Sequence, residues 1–219
     1  MSHQLFLLRH GEVASHRGDV PVTAEGLETA VSVGRRLASQ ANGGLIRVIS
    51  GATRRTRDTA AAVARGAREA GAQVQEDGVA FALRNPDLYL AGSRVDMVSS
   101  EAAFAAQVPG LSEADIARID FYREWLQAPD RVGWWVRHQT PPGDDAAAVA
   151  RRINAFAASL ADRDDNTVFT VAVTHSPVLR AVAQEFLGEE PGEPQWLAGL
   201  DVEVAEDRTA RFKLLPEAP

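Results

Sequence analysis

The apolar run Leu5-Phe6-Leu7-Leu8 stops abruptly at Arg9-His10-Gly11, and a second run, Thr167 to Thr174, stops at His175. Imidazole titrates near neutrality, so a histidine in such a place can attack as a nucleophile or carry a proton near pH 7. A third strand-like run, Leu45 to Ser50, leads into Arg54, Arg55 and Arg57. Guanidinium keeps its charge at any working pH and offers paired donors to phosphate oxygens. Each of the three turns therefore carries anion chemistry: Arg9, His10 and Glu12 in the first, Arg54, Arg55 and Arg57 in the second, and His175 in the third, with Arg180 one turn further on. If the turns meet, they form a pocket for a small dianion such as phosphate.

The intervening elements must bring the turns together. Thr23 can cap a helix whose apolar positions Leu27, Ala30, Val31, Gly34, Leu37 and Ala38 recur at three-to-four spacing and end near Asn42-Gly43-Gly44. An alanine-rich helix is expected from about Thr53 to Gly71, after the strand Leu45 to Ser50. After the strand Thr167 to Thr174, Ser176 is the expected N-cap and Pro177 the first helical residue. Asp144 or Asp145 can cap a helix running to about Leu160, and Leu200 to Val204 with Thr209 to Leu214 reads as a terminal hairpin. Alternating strands and helices predict an α/β fold with helices on both faces of a mostly parallel sheet, and in such sheets ligands bind beyond the carboxyl ends of the strands.

From about residue 84 to 142 the periodicity weakens while Tyr89, Phe104, Phe121, Tyr122, Trp125, Trp134 and Trp135 concentrate. This stretch reads as a mainly helical insertion over the site within one domain spanning 1–219. Its aromatics are expected mainly to pack a core, the sharper alternative being a lid over the ligand. The acidic stretch from Asp162 to Asp165 reads as a solvated turn.

Composition narrows the function. A net charge of -7 disfavours nucleic acid and anionic membranes as partners and leaves small solutes open. With no cysteine, thiol nucleophiles and thiolate metal ligands are excluded, and the only lysine, Lys213, has no glycine-rich loop before it, which excludes a lysine-containing phosphate loop. The start Met1-Ser2-His3-Gln4 shows no export signal and no stretch is long enough to span a bilayer, so a cytoplasmic protein is expected.

Leu7-Leu8-Arg9-His10-Gly11-Glu12 resembles the signature of the histidine phosphatase superfamily, which includes the phosphoglycerate mutases. Val22-Thr23-Ala24-Glu25-Gly26 resembles the family's first helix start, and Arg55-Thr56-Arg57-Asp58-Thr59-Ala60 its second arginine motif. Gly143-Asp144-Asp145 with Arg152-Ile153 is similar to its Gly-Glu-Ser segment and following arginine, and the stretch Val173 to Ala181 to its second histidine motif, all in the family's order. The resemblance implies a phosphoglycerate mutase-like three-layer fold and a small phosphorylated substrate. It implies that His10 takes up the phosphoryl group while Arg9, Arg55 and His175 hold the non-bridging oxygens, with no cofactor or metal. His16, Arg17 and Ser176 are further expected substrate contacts. Arg54 is the reserve for Arg55, and Arg180 is read as a salt-bridge or helix-surface residue as readily as a ligand contact.

The proton donor departs from the pattern. The mutase-like branch carries a glutamate in a Leu-x-Glu segment where Leu83-Arg84-Asn85 places an amide, and the other branch's aspartate after the second histidine is replaced by Ser176. Asp87 is the expected donor, against a plain turn-capping role, with Glu12 and Glu101 as alternatives. Loss of the mutase-type glutamate, and His16 where mutases tend to carry asparagine, favour phosphomonoester hydrolysis. A mutase-type transfer and a catalytically idle phospho-ligand binder are the competing readings.

Overall fold

The computed structural model describes residues 2–15, 18–163, 166–215 and 217–219. In chain order the elements are β1 (His3–Arg9), α1 (Ala24–Ala41), β2 (Leu45–Ser50), α2 (Arg54–Glu69), β3 (Gln73–Val79), β4 (Leu88–Leu90), β5 (Ser93–Val95), α3 (Glu101–Ala105), α4 (Glu113–Ile116), α5 (Asp120–Gln127), α6 (Arg131–Arg137), α7 (Ala146–Ser159), β6 (Thr167–Thr174), α8 (Ser176–Leu187), β7 (Gly199–Val204) and β8 (Ala210–Leu215). Six strands form one sheet in the order β3-β2-β6-β1-β7-β8. The pairs β3–β2, β2–β6 and β6–β1 are parallel, and β7 runs antiparallel to β1 and β8. Two apolar layers cover this mostly parallel sheet, giving a three-layer α/β/α architecture.

The layers follow from strand periodicity. In β1, Leu5 and Leu7 face one core with Val149 and Ile153 of α7 and Val178 and Val182 of α8, whereas Phe6 and Leu8 face the other with Val31 and Leu37 of α1 and Val63 of α2. The first helix starts as the sequence indicates: the Thr23 side chain accepts from Gly26 N at 3.0 Å, and Asn42 closes the helix in the left-handed conformation. Asp145 caps α7 by accepting from Ala148 N at 2.6 Å. On one face α1 and α2 cross with backbones nearly touching, because a Cβ on Gly34 would run into the Val63 carbonyl and one on Gly66 into that of Val31.

Three features differ from expectation. β3 was not foreseen: it is an edge strand, Gln-Val-Gln-Glu-Asp-Gly-Val, mostly solvent-facing and so without an apolar run to announce it. Residues 84–142 hold four short helices but also the β4–β5 hairpin, and Gly143 is pinned against its base, since a Cβ there would strike the Asp87 carbonyl. His175, not Ser176, is the N-cap of α8; Ser176 begins the helix and its hydroxyl donates to Glu193. The insertion's aromatics do mainly pack: Tyr122, Trp125 and Trp135 are buried, and each donates its polar hydrogen to a carbonyl, of Tyr89, Val98 and Asp144 respectively.

Gly34→Ala is expected to destabilise the fold by about 2 kcal/mol, because overpacking must push α1 from α2. Urea denaturation measures it, and a midpoint equal to the parent's would show that the helices separate without cost.

Candidate active site

The register of β1 on β6 pairs Arg9 with Thr174, so the next residues along each strand, His10 and His175, emerge side by side at the carboxyl edge. His10 N donates to Thr174 O at 3.0 Å, and the two imidazole centroids lie 5.5 Å apart. β2 flanks β6 on its other side, which brings Arg55, in the first turn of α2, next to His175: Arg55 Nη2 lies 3.3 Å from His175 Nδ1. The three turns singled out in the sequence thus meet. Arg9, His10, Arg55, His175 and Ser176 line one cleft of about 200 Å³.

Hydrogen bonding fixes both imidazoles. His10 Nδ1 lies 2.8 Å from Gly11 O, and a carbonyl can only accept, so Nδ1 carries the proton and the in-plane lone pair belongs to Nε2. Gly11 N is held by Thr59 Oγ1 at 2.9 Å, and Thr59 bonds back to Arg55 O at 2.7 Å, so the histidine loop and the arginine helix share one anchor. An arginine can only donate, so His175 Nδ1 is the acceptor from Arg55 and its proton sits on Nε2.

The electrostatics call for an anion. Burial lowers the pKa of Arg9, which the charge of Glu193 raises in part and that of Arg180 lowers further. Burial likewise lowers that of Arg55, offset in part by the charges of Asp19 and Asp96. The Nε atoms of both arginines are buried without a protein hydrogen-bond partner. Two desolvated guanidiniums with unmet donors in one cleft suit a dianion. Arg54, the reserve, is exposed and lies 3.7 Å from Asp58, so the structure brings Arg55 to the site and not Arg54.

Asp87 has to be corrected. Its carboxylate is held between Arg84, at 2.9 Å, and Arg94, and it does not line the cleft. Burial pushes this carboxyl up, but hydrogen bonds from Arg94 and Arg84 and their charges outweigh that and hold it below the usual carboxylate range. A carboxylate held by two arginines outside the cleft is not placed to protonate a leaving group there. Glu12, which accepts from Thr23 at 3.3 Å, and Glu101, in the first turn of α3, lie outside it too. Expected contacts His16 and Arg17 fall outside the described residues. Arg180 takes the salt-bridge role: it is 1% exposed, does not line the cleft and is bound to Asp130, Glu190 and Glu193; burial lowers its pKa, but hydrogen bonds and charge from Glu190 and Asp130 outweigh that and raise it.

The sequence reading missed the loop between α8 and β7. Glu193 from this loop lines the cleft and pairs with Arg9 Nη2 at 2.6 Å, Pro194 O accepts from Arg9 Nη1 at 2.5 Å, and the Trp196 ring lies 3.5 Å from the guanidinium carbon. The motif Pro191-Gly192-Glu193-Pro194 signals only a turn. The remaining wall comes from the insertion, with Asn85, Met97, Val98, Trp125, Arg131 and Val132. Arg152 fixes the near end of that wall by donating to Ala82 O at 3.0 Å, Arg84 O at 2.9 Å and Asp144 at 2.9 Å. Among the described residues no cluster of three or more histidine or acidic side chains could hold a metal ion, and no helix is long and apolar enough to cross a membrane.

A profile of the histidine phosphatase superfamily (branch 1) matches residues 5–78 and 103–206. Similar folds occur in a mycobacterial glucosyl-3-phosphoglycerate phosphatase (TM-score 0.62, 18% identity, 100% of both chains) and in a phosphoglycerate mutase from Bacillus anthracis (0.59, 14%, 99% of this chain and 93% of that one). A phosphoserine phosphatase from Entamoeba histolytica, solved with 3-phosphoglyceric acid, is similar over 99% of this chain and 98% of its own (0.54, 14%). A search of curated protein sequences finds no match.

Asp87→Asn is expected to cost about 2 kcal/mol of stability at pH 7, as loss of charged hydrogen bonds does. Because the folded-state pKa is depressed, the stability Asp87 contributes is present above the unfolded value of about 4 and lost as pH falls through the folded value. The deficit should therefore shrink in denaturation series below about pH 4; a deficit independent of pH would mean that the ion pairs do not stabilise the fold.

Proposed function

The chain belongs to the histidine phosphatase superfamily, and from that membership and the geometry of the cleft we propose that it hydrolyses phosphomonoesters through a phosphohistidine intermediate on His10, without a metal ion. The observation that carries this reading is the convergence of His10, His175, Arg55 and Arg9 on one cleft, with the proton of His10 committed to Gly11 O. That bond holds the ring so that Nε2 presents its lone pair as the nucleophile. The second imidazole, with its proton on Nε2, and the two guanidiniums supply fixed donors for the non-bridging oxygens, the charge stabilisation that phosphoryl transfer chiefly requires. Splitting hydrolysis into transfer to nitrogen and transfer to water replaces one hard step with two easier ones.

The alcohol portion of the substrate would lie against the insertion, where Met97, Val98, Trp125 and Val132 give an apolar face and Arg131 and Asn85 give polar ends. This favours a small phosphorylated metabolite with apolar surface beyond the ester oxygen. Cytoplasmic placement, with no nucleic acid or membrane partner, is part of the same proposal.

Phosphate release from a panel of phosphomonoesters tests the reading. Wild-type protein should turn over without a bisphosphorylated primer and equally well after chelation, whereas His10→Ala should lose at least about 10⁴-fold in kcat. Dependence on a primer would favour phosphoryl transfer between substrates, chelator sensitivity would contradict the metal-free chemistry, and full activity in His10→Ala would remove the nucleophile assignment.

A further inference from the structure

Hydrolysis by this route needs a proton for the departing alkoxide and a group to take one from the attacking water. With Asp87 held elsewhere, the one acidic side chain among the described residues lining the cleft is that of Glu193. Its Oε1 pairs with Arg9 Nη2 at 2.6 Å, and its Oε2 accepts a hydrogen bond from Ser176 Oγ at 2.5 Å. Ser176 directly follows His175, is 6% exposed and lines the same cleft. Behind the carboxylate, Arg180 Nη1 lies 3.4 Å from Oε2, while its closer hydrogen bonds go to Asp130 and Glu190. The loop bearing Glu193 is held by the Arg9 bond to Pro194 O and by Trp196 against Arg9.

We propose that Ser176 and Glu193 form the acid–base relay of this site, with Glu193 storing the proton and Ser176 passing it between the carboxyl group and the reacting oxygen. The proposal rests on the phosphohistidine reading. In the first step the His10 Nε2–P bond forms as the P–O bond to the alcohol breaks. The Ser176 hydroxyl proton goes to the departing oxygen, and Ser176 takes the carboxyl proton of Glu193, leaving a carboxylate. In the second step water attacks phosphorus as the Nε2–P bond breaks. One water proton passes to Ser176 Oγ and the serine proton to Glu193, which regenerates the carboxyl group while the hydroxyl left on phosphorus completes inorganic phosphate.

The geometry of the pair fits this cycle: the hydrogen bond as found, with Ser176 donating to Glu193, runs in the direction of the second step.

Quenched-flow measurements on the full chain, with p-nitrophenyl phosphate and with an alkyl phosphate, test the relay. In Glu193→Gln, phosphoenzyme should form from the nitrophenyl ester within about threefold of the wild-type rate, because that leaving group needs no proton, and then accumulate because its hydrolysis slows about a hundredfold. From the alkyl ester, phosphoenzyme formation itself should slow about a hundredfold. Ser176→Ala should show the same pattern, and the double variant should be no worse than the poorer single one beyond about twofold, since the two groups act in series. Glu193→Asp, which keeps the charge facing Arg9 and Arg180 but draws back from Ser176, provides a folded counterpart with the same expected pattern. Equal slowing with both esters, a change confined to KM, or additive damage in the double variant would overturn the relay while leaving His10 in place. Absence of phosphoenzyme in the wild-type chain would overturn the phosphohistidine reading and the relay with it.

Discussion

The register of β1 on β6 is the constraint on which the site depends. Pairing Arg9 with Thr174 makes the next residue of each strand a histidine, and two chain segments more than 160 residues apart in sequence end in adjacent imidazoles. A slip of one residue would turn each β1 side chain to the opposite face, exchanging Leu5 and Leu7 with Phe6 and Leu8 between two differently shaped cores. The same alternation that packs the sheet therefore places the chemistry, and the core and the site cannot be altered independently.

Around that pair the protein has invested arginine, and each arginine takes its role from the partners it is given. Arg9 is buried and Arg55 half-buried, each with an Nε that finds no protein hydrogen-bond partner, and both remain available to an anion. Arg180 is buried with three carboxylates and serves as a hub joining Asp130 at the start of α6, the loop with Glu190 and Glu193, and α8 itself. Arg152 is spent on two carbonyls and Asp144, which holds the chain leading to Asn85 at the cleft wall. Removing one member of such a buried cluster leaves the others unpaired, so damage there would reach the cleft through position rather than through contact with substrate.

Much of this was legible in the sequence because the signals are local. Apolar runs ending at Arg9 and His175, the cap at Thr23 and the arginine turn at the start of α2 each lie within a few residues, and the order of strands and helices fixes where their turns gather. What escaped depends on distant partners or on the lack of an apolar pattern. β3 is a polar edge strand; Asp87 looks like an available acid until Arg84 and Arg94 close on it; Ser176 looks like a cap until Glu193 draws its hydroxyl away. Glu193 itself lies in a proline- and glycine-rich turn whose sequence gives no sign that it folds back over Arg9.

The central claim is that one particular imidazole nitrogen accepts phosphorus. Trapping the intermediate with substrate, digesting at alkaline pH where phosphohistidine survives, and mapping the modified peptide by mass spectrometry tests it most directly. The account predicts the phosphoryl group on His10, at Nε2, and none on His175. Phosphate on His175, or on neither histidine while turnover continues, would contradict it.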